Sequence, residues 1–231
     1  MKKYNFLITV SFIFIILSCE KRHVIVKRAY YDNGNIAKDI IKLSADKNYV
    51  VNYNKNGCIE SKGILREGKK IGWWLIYENS KVVNKCEYIV INNKEYLNQN
   101  ITYDSKNKII NDKSDFFSFK IPDTIDIGQT KVNIFYNKLF DDNSDLFICV
   151  GYDINEDFDN LKTSKIDSFY SKDYRKGWFG LRFDTPGKKT IRGFIYERKM
   201  VVQNNLLGNK DSSSITIYDN KKYFEKAIYV K

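Results

Sequence analysis

The segment Gly63-Ile-Leu-Arg-Glu-Gly68-Lys-Lys-Ile-Gly72-Trp73-Trp74-Leu-Ile-Tyr77 decides the fold class of this 231-residue chain. Glu67-Gly68 is a turn signal, because glycine adopts the positive φ angles of a tight hairpin turn without a steric cost. The aromatic and aliphatic run from Gly72 to Tyr77 is typical of a β-strand. The segment therefore predicts a β-hairpin.

The hairpin pattern recurs on either side of this segment, aligned on Tyr30, Tyr53, Tyr77 and Tyr103, which follow one another at steps of 23, 24 and 26 residues. Each repeat reads aromatic residue, three polar residues, turn residue, one further residue and aliphatic residue. A single hairpin cannot bury its own face, so we expect these units to stack into a quasi-one-dimensional β-array over residues 28–112. An ordinary β-meander with recurring turns is the alternative. The four repeats are Tyr30-Tyr-Asp-Asn-Gly34-Asn-Ile36, Tyr53-Asn-Lys-Asn-Gly57-Cys-Ile59, Tyr77-Glu-Asn-Ser-Lys81-Val-Val83 and Tyr103-Asp-Ser-Lys-Asn107-Lys-Ile109.

Two stretches, Tyr30-Tyr31-Asp32-Asn33-Gly34 and 68–77, resemble bacterial MORN-like repeats. The consensus of that family runs roughly Tyr-Tyr-x-Asn-Gly and then Lys-x-Gly-x-Trp-x-x-Tyr-Tyr, and the resemblance covers about residues 28–110. It implies a scaffold or binding surface without a chemistry of its own. Proteins with such repeats are often labelled antitoxin components, so the resemblance also raises an antitoxin or immunity-type role.

The repeat pattern stops near residue 113, and residues 113–231 carry about seven strand-like runs separated by polar, turn-prone segments. This pattern predicts an antiparallel β-sandwich, so the fold class expected for the whole chain is all-β. Residues 128–134 and 186–194 are similar in pattern to the Ig-like domains of exported bacterial proteins. The predicted strands are 116–122, 125–136, 146–152, 178–183, 190–196, 215–218 and 227–230. Alternation in the fifth puts Ile191, Gly193 and Ile195 on one face and Arg192, Phe194 and Tyr196 on the other.

The N-terminus has the layout of an export signal. Lys2 and Lys3 precede an apolar run from Phe6 to Leu17, which is shorter than the roughly 20 residues of a membrane-spanning helix. The run ends in Ile16-Leu17-Ser18-Cys19, which resembles the lipobox of bacterial lipoproteins. The resemblance implies that residues 1–18 are removed as a signal peptide and that Cys19 is lipidated.

Lipidation at Cys19 implies a location for the protein. We expect residues 19–27 to be a tether and the membrane to be a partner through the lipid, in the cell envelope. The outer membrane is favoured over the inner one. An uncleaved N-terminal anchor helix is the alternative. Two or three acyl chains suffice for stable anchoring, whereas one chain is marginal.

The net charge and the cysteine content limit which partners are expected and which cysteines can form disulfides. The formal charge is +11, and a basic surface suits anionic lipid or anionic glycan, whereas a solvated surface rich in lysine and asparagine is the alternative. Nucleic acid is not expected as a partner of an exported protein. Beyond Cys19, three cysteines remain, and a Cys58–Cys86 disulfide is compatible with export. Cys149 lies in an apolar strand pattern and is expected to be a buried thiol.

The sequence offers no motif for a cofactor or a metal cluster, and we assign no catalytic residue. One alternative is a hydrolase of glycan or cell wall that uses acidic residues, for which Glu156, Asp157 and Asp159 are the candidates. The spacing of Asp153, Asn155, Asp157 and Asp159 would also suit a calcium loop, but the glycine and the final glutamate of an EF-hand are missing.

Exposed aromatic residues are the remaining candidates for a functional surface. Trp73, Trp74, Tyr77 and Trp178 form the predicted binding surface, for a protein or glycan partner in the envelope. Since side chains alternate along a strand, Trp73 and Trp74 must face opposite sides of the sheet, so one of them is expected in the core. The function expected is therefore a non-enzymatic binding or scaffold role.

Overall fold

The chain is all-β. A computed structural model describes residues 25–137, 140, 144–171, 175–205 and 212–231. Cys19, the expected signal peptide and most of the expected tether lie outside this part of the chain. In the described part, no helix is long and apolar enough to span a membrane.

The first half is a seven-stranded antiparallel sheet in which each strand pairs only with its neighbours along the chain. This arrangement confirms the predicted hairpin array, and the turn at Glu67-Gly68 has the expected positive φ angles of 51° and 82°. The strands are β1 (Ile25–Tyr30), β2 (Ile36–Lys42), β3 (Lys47–Tyr53), β4 (Ile59–Arg66), β5 (Lys69–Glu78), β6 (Lys81–Ile91) and β7 (Lys94–Thr102).

The array is held together mainly by contacts between neighbouring strands. The large hydrophobic core of the protein contains no residue of β1–β7, and most side chains of the array are half-buried. On one face, Arg28 binds Asp39 with two hydrogen bonds of 2.6 and 2.9 Å, and the Tyr53 hydroxyl donates to the same carboxylate at 3.2 Å. Such cross-strand pairs are the unit of sheet stabilisation.

Side-chain hydrogen bonds also link successive turns at both ends of the strands of the array. The Tyr31 hydroxyl donates to the carbonyl of Tyr53 at 2.6 Å, one repeat further on. At the other end of the strands, Lys69 Nζ lies 2.6 Å from Asn93 Oδ1, again one repeat away. The sequence repeat is therefore also a repeat of contacts.

A short 3-10 turn, Asn111–Lys113, precedes the second half of the chain, which is a β-sandwich of two sheets. One sheet has the order β13-β10-β8 and the other the order β12-β11-β14-β15-β9. All pairs are antiparallel except the short β15–β9 pair, which is parallel. The strands are β8 (Phe116–Lys120), β9 (Thr124–Ile125), β10 (Gly128–Asn137), β11 (Ser144–Gly151), β12 (Ile166–Ser171), β13 (Lys176–Phe183), β14 (Gly187–Asn205) and β15 (Ser212–Val230).

The core of the sandwich lies between these two sheets. Val132 and Ile134 of the smaller sheet face Leu146, Ile148 and Ile195 of the larger one, and all five side chains are fully buried. The predicted alternation along β14 is confirmed, because Ile191, Gly193 and Ile195 are buried while Arg192, Phe194 and Tyr196 are half-buried.

The strand boundaries of the second half differ from those predicted. Strand β12 was not predicted, and residues 215–218 and 227–230 belong to one 19-residue strand, β15. Two of the polar side chains between them face the interior, where Asn220 donates to the Tyr136 hydroxyl at 2.9 Å and Lys222 pairs with Asp115. A hydrogen bond and an ion pair in the interior therefore allow the strand to continue through a polar stretch, whereas its composition alone would predict that the strand ends there.

Candidate binding cleft

Side chains of β7 join the hairpin array to the free edge of β15. Asn98 Nδ2 donates to the carbonyl of Tyr223 at 2.8 Å, and the amide of Tyr223 donates to Asn98 Oδ1 at 2.7 Å. Tyr96 donates its hydroxyl to the carbonyl of Lys221 at 2.6 Å, and burial raises the pKa of Tyr96 to about 12. These bonds cover backbone groups that an open sheet edge would leave unpaired.

A β-bulge places Asn98 in this position. Glu87 pairs with Gln99 and Tyr88 pairs with Leu97, so Asn98 is the extra residue in β7. A bulge changes the direction in which a side chain points. Asn98 is 1% exposed and reaches both the sandwich and Glu87 of its own sheet.

A cleft of about 340 Å³ lies beside this joint, between one face of the array and one edge of the sandwich. Its walls are mostly aromatic and aliphatic, with four polar side chains among them. This composition is typical of small-ligand sites, where a few polar groups fix the orientation of a ligand on an apolar surface. The array contributes Trp73, Glu87, Ile89 and Gln99, and the sandwich contributes Phe117, Ser118, Phe119, Phe158, Tyr223, Phe224 and Glu225.

Trp73 is the predicted site residue that lies in the cleft. It is half-buried on β5, directly opposite Glu87, which is in turn opposite Gln99 of β7. Lys85 Nζ lies 4.4 Å from the centroid of the Trp73 ring, and a cation at this distance is attracted by the ring electrons. The indole is thus held in place at the rim by a neighbouring strand.

Both carboxylates of the cleft accept hydrogen bonds from the protein itself. Glu87 Oε2 accepts from the side-chain amides of Asn98 and Gln99, each at 2.6 Å. Glu225 accepts from Arg192 Nε at 2.5 Å. The two groups are oriented acceptors on opposite walls, with Glu87 on the array and Glu225 on the sandwich.

Phe158 closes one side of the cleft from the loop between β11 and β12. Its backbone has a positive φ of 52°, which is uncommon for a bulky residue, and its ring is buried in a loop whose acidic side chains are exposed. The ring packs edge-on against Tyr223, with centroids 5.0 Å apart. Burial raises the pKa of the Tyr223 hydroxyl.

The other members of the predicted binding surface lie elsewhere. Trp74 is wrongly predicted as a surface residue: it is 2% exposed, donates from Nε1 to the Ile64 carbonyl at 3.1 Å and packs against Gly63. Tyr77 is half-buried under Lys62. Trp178 is 53% exposed on β13 and does not line the cleft. The four aromatics do not form one surface.

The acidic loop does not form the calcium site considered from sequence, and its three candidate carboxylates, Glu156, Asp157 and Asp159, line a hollow beside Arg66. Arg66 of the array binds Glu156 at 2.8 Å and Asp157 at 3.3 Å. Asp159 accepts from Asn155, and Asp153 Oδ1 accepts from the amide of Lys165 at 3.1 Å. Because these oxygens bind the protein itself, they do not converge on a calcium ion, and no cluster of three potential metal-ligating side chains occurs in the ranges that the structure describes.

The cysteines do not pair as considered from sequence. Cys58 is exposed and Cys86 is buried, and both are free thiols, so the Cys58–Cys86 disulfide that the sequence left open is not formed. Cys149 is also free and buried, as expected. Burial raises the pKa of the Cys86 and Cys149 thiols.

Comparison with known proteins adds no assignment. No protein-family model, curated protein or solved structure matches this chain.

The cleft residues other than Trp73 were not found by sequence reasoning. The only sequence signal for Glu87 and Gln99 is their position on strands beside Trp73, while Asn98, Phe158 and Glu225 reach the cleft through contacts between distant parts of the chain.

Proposed function

We propose that this chain is a non-enzymatic envelope protein that binds a glycan segment in the cleft between its hairpin array and its sandwich. The observation that carries the proposal is the position of Trp73 at the rim of an aromatic cleft that also contains Glu87, Gln99 and Glu225. The apolar face of a sugar ring packs on aromatic side chains, while its hydroxyl groups donate to carboxylates and amides.

The volume of the cleft limits the size of the ligand that it can bind. About 340 Å³ is near the lower end for small-molecule sites, so a short segment of one or two sugar rings fits better than a folded protein surface. The rest of a longer glycan would extend along the adjoining face of the array, where Leu75, Lys85 and Tyr103 line a further open hollow.

The envelope location is part of the proposal and depends on Cys19. The lipobox-like ending of the N-terminal apolar run supports lipidation there, with the membrane as the partner. A radiolabelled or clickable fatty acid fed to cells tests this step. Label on the wild type and none on Cys19→Ser supports the anchor, and an unmodified chain that retains Met1 contradicts it.

A glycan hydrolase is the second candidate, because Glu87 and Glu225 line the same cleft. Glycosidases use a pair of carboxylates on either side of the bond that they cleave. The donors around both groups favour binding over hydrolysis, since each carboxylate is already an acceptor from protein N–H groups. Glycan cleavage by the wild type that is lost in both Glu87→Gln and Glu225→Gln would favour the hydrolase.

The test of binding compares the wild type with Trp73→Ala on an array of bacterial envelope oligosaccharides, followed by calorimetry with the best ligand. We expect binding without cleavage, and at least about tenfold weaker binding by the variant, which corresponds to roughly 1.4 kcal/mol. Tyr77→Ala is the matched control, because this half-buried aromatic is on the same strand but outside the cleft.

A further inference from the structure

The outer face of the three-stranded sheet is a second surface with a distinct chemistry. Val132, Ile134 and Phe179 point into the core, so the alternate residues of β10 and β13 point to solvent. Six of the exposed outward side chains on β8, β10 and β13 are cationic or aromatic. We call them the basic face: Lys120, Lys131, Phe135, Lys176, Trp178 and Arg182.

Cations and rings alternate across the basic face. Lys120, Asn133 and Trp178 lie side by side in one row across the strands, and Phe135 lies beside Lys176 in the next. Lys131 Nζ is 4.7 Å from the centroid of the Trp178 ring. Trp178 is 53% exposed and Phe135 40%, so both rings are open to a ligand.

Most of the positive charge of this face has no carboxylate partner in the part of the chain that the structure describes. No aspartate or glutamate occurs among the residues of β8, β10 and β13. Arg182 pairs with Asp184 in the turn that follows β13, but in the described ranges no ion pair involves Lys120, Lys131 or Lys176. Three lysines without a carboxylate partner on a flat face create a positive potential that attracts a polyanion.

We propose that the basic face binds an anionic polysaccharide. A sugar ring of the polymer stacks on Trp178, and carboxylate or other anionic groups of the neighbouring units pair with Lys131 and Lys176. The neutral side chains of Gln129 and Asn133, which are exposed on the same face, supply donors and acceptors for hydroxyl groups.

The same observations disfavour two other polyanionic partners. Sheets that bind single-stranded nucleic acid stack successive bases on several aromatic side chains, whereas Trp178 alone is more than half exposed on this face. Binding to a bilayer requires buried apolar area, and the basic face contains no aliphatic side chain. Charge and a single indole together therefore favour a hydroxylated polyanion.

Calorimetry of the full chain with polygalacturonate tests the proposal, with dextran, oligothymidylate and vesicles containing phosphatidylglycerol as parallel ligands. We expect polygalacturonate to bind, dextran not to bind, and affinity to fall as NaCl is raised from about 50 to about 300 mM. Trp178→Ala and the double variant Lys131→Gln/Lys176→Gln should each bind at least about fivefold more weakly.

Two control variants show whether binding depends on the basic face or only on the total positive charge and the number of exposed aromatic rings. Lys106→Gln/Lys108→Gln removes the same charge from an exposed turn of the array, and Tyr152→Ala removes an aromatic ring that is 67% exposed elsewhere on the sandwich. Both should bind polygalacturonate as the wild type does. Absence of polygalacturonate binding, equal loss in the controls, or tighter binding of oligothymidylate or vesicles would overturn the proposal.

Discussion

The side chain of Asn98 pairs with both backbone groups of Tyr223, 125 residues away in sequence, with distances of 2.8 and 2.7 Å. The Asn98 amide uses one N–H as a donor and its carbonyl oxygen as an acceptor here, and so takes the place of a neighbouring strand at the edge of β15. This pairing fixes the array against the sandwich and positions the two walls of the cleft.

Replacing Asn98 should weaken the joint. Asn98→Ala leaves the buried N–H and C=O of Tyr223 without these partners, at a cost of about 1–3 kcal/mol for each group. Urea unfolding should give a lower free energy of unfolding, and the amide of Tyr223 should exchange its hydrogen faster.

Two further variants show whether the loss of stability comes from the hydrogen bonds between Asn98 and Tyr223. Asn98→Asp keeps an acceptor for the Tyr223 amide but places a carboxylate beside Glu87 Oε2, so it should be at least as destabilising as Asn98→Ala at neutral pH. Asn56→Ala, in an exposed turn of the array, should leave stability nearly unchanged. Equal stability of all three variants and the wild type would exclude a role for Asn98 in the joint.

Gly63 should be intolerant of any side chain. A Cβ added there would lie 2.4 Å from the Trp74 ring, so Gly63→Ala should destabilise the array by about 1–3 kcal/mol or more. At Gly180 nothing lies within 4 Å, and Gly180→Ala should be neutral or stabilise by up to about 1 kcal/mol. Thermal unfolding of the two variants measures the contrast, and a similar melting temperature for both would contradict the packing of Trp74.

Acid should weaken the array through Asp39. The Arg28 guanidinium donates hydrogen bonds that lower the pKa of the Asp39 carboxyl below its ordinary value of 3.8. A carboxyl with a lowered folded pKa contributes stability above the unfolded value and loses it as the pH falls through the folded one. The stability of the wild type should therefore decline below about pH 3.8, and Asp39→Asn should be less stable at neutral pH with a shallower acid dependence. An unchanged acid profile in the variant would show that Asp39 is not responsible.

Thiol labelling tests burial and the anchor together. Cys58 should react with iodoacetamide in the native protein, whereas Cys86 and Cys149 should not, because burial shields them and raises the pKa of their thiols. After unfolding, three labels are expected if Cys19 carries lipid and four if it does not. Rapid native labelling at Cys86 or Cys149 would contradict the packing described.

The hairpin array was predictable because its turns have a local cause. Glycine at residues 34, 57 and 68 adopts the positive φ that each turn requires, and the flanking aromatic and aliphatic residues follow the same order in each repeat. The alternation along β14 was predictable for a similar reason, since adjacent side chains in a strand face opposite sides.

The cleft and the long strand β15 were not predictable, because their causes are distant in sequence. The interior partners of Asn220 and Lys222, which are Tyr136 and Asp115, lie far from them in sequence. Asn98 looks like one more polar residue until the bulge in β7 turns it towards Tyr223. Alternation places Trp73 and Trp74 on opposite sides of the sheet, but only the fold shows that Trp74 is the buried one, where it packs against Gly63.

Glycan binding by the full chain, measured in parallel with Trp73→Ala on envelope oligosaccharides, tests most directly whether the cleft is the binding site. We expect the wild type to bind at least one oligosaccharide and the variant to bind it at least about tenfold more weakly. Equal binding by both proteins, or no binding of any oligosaccharide by the wild type, would contradict a glycan site in the cleft.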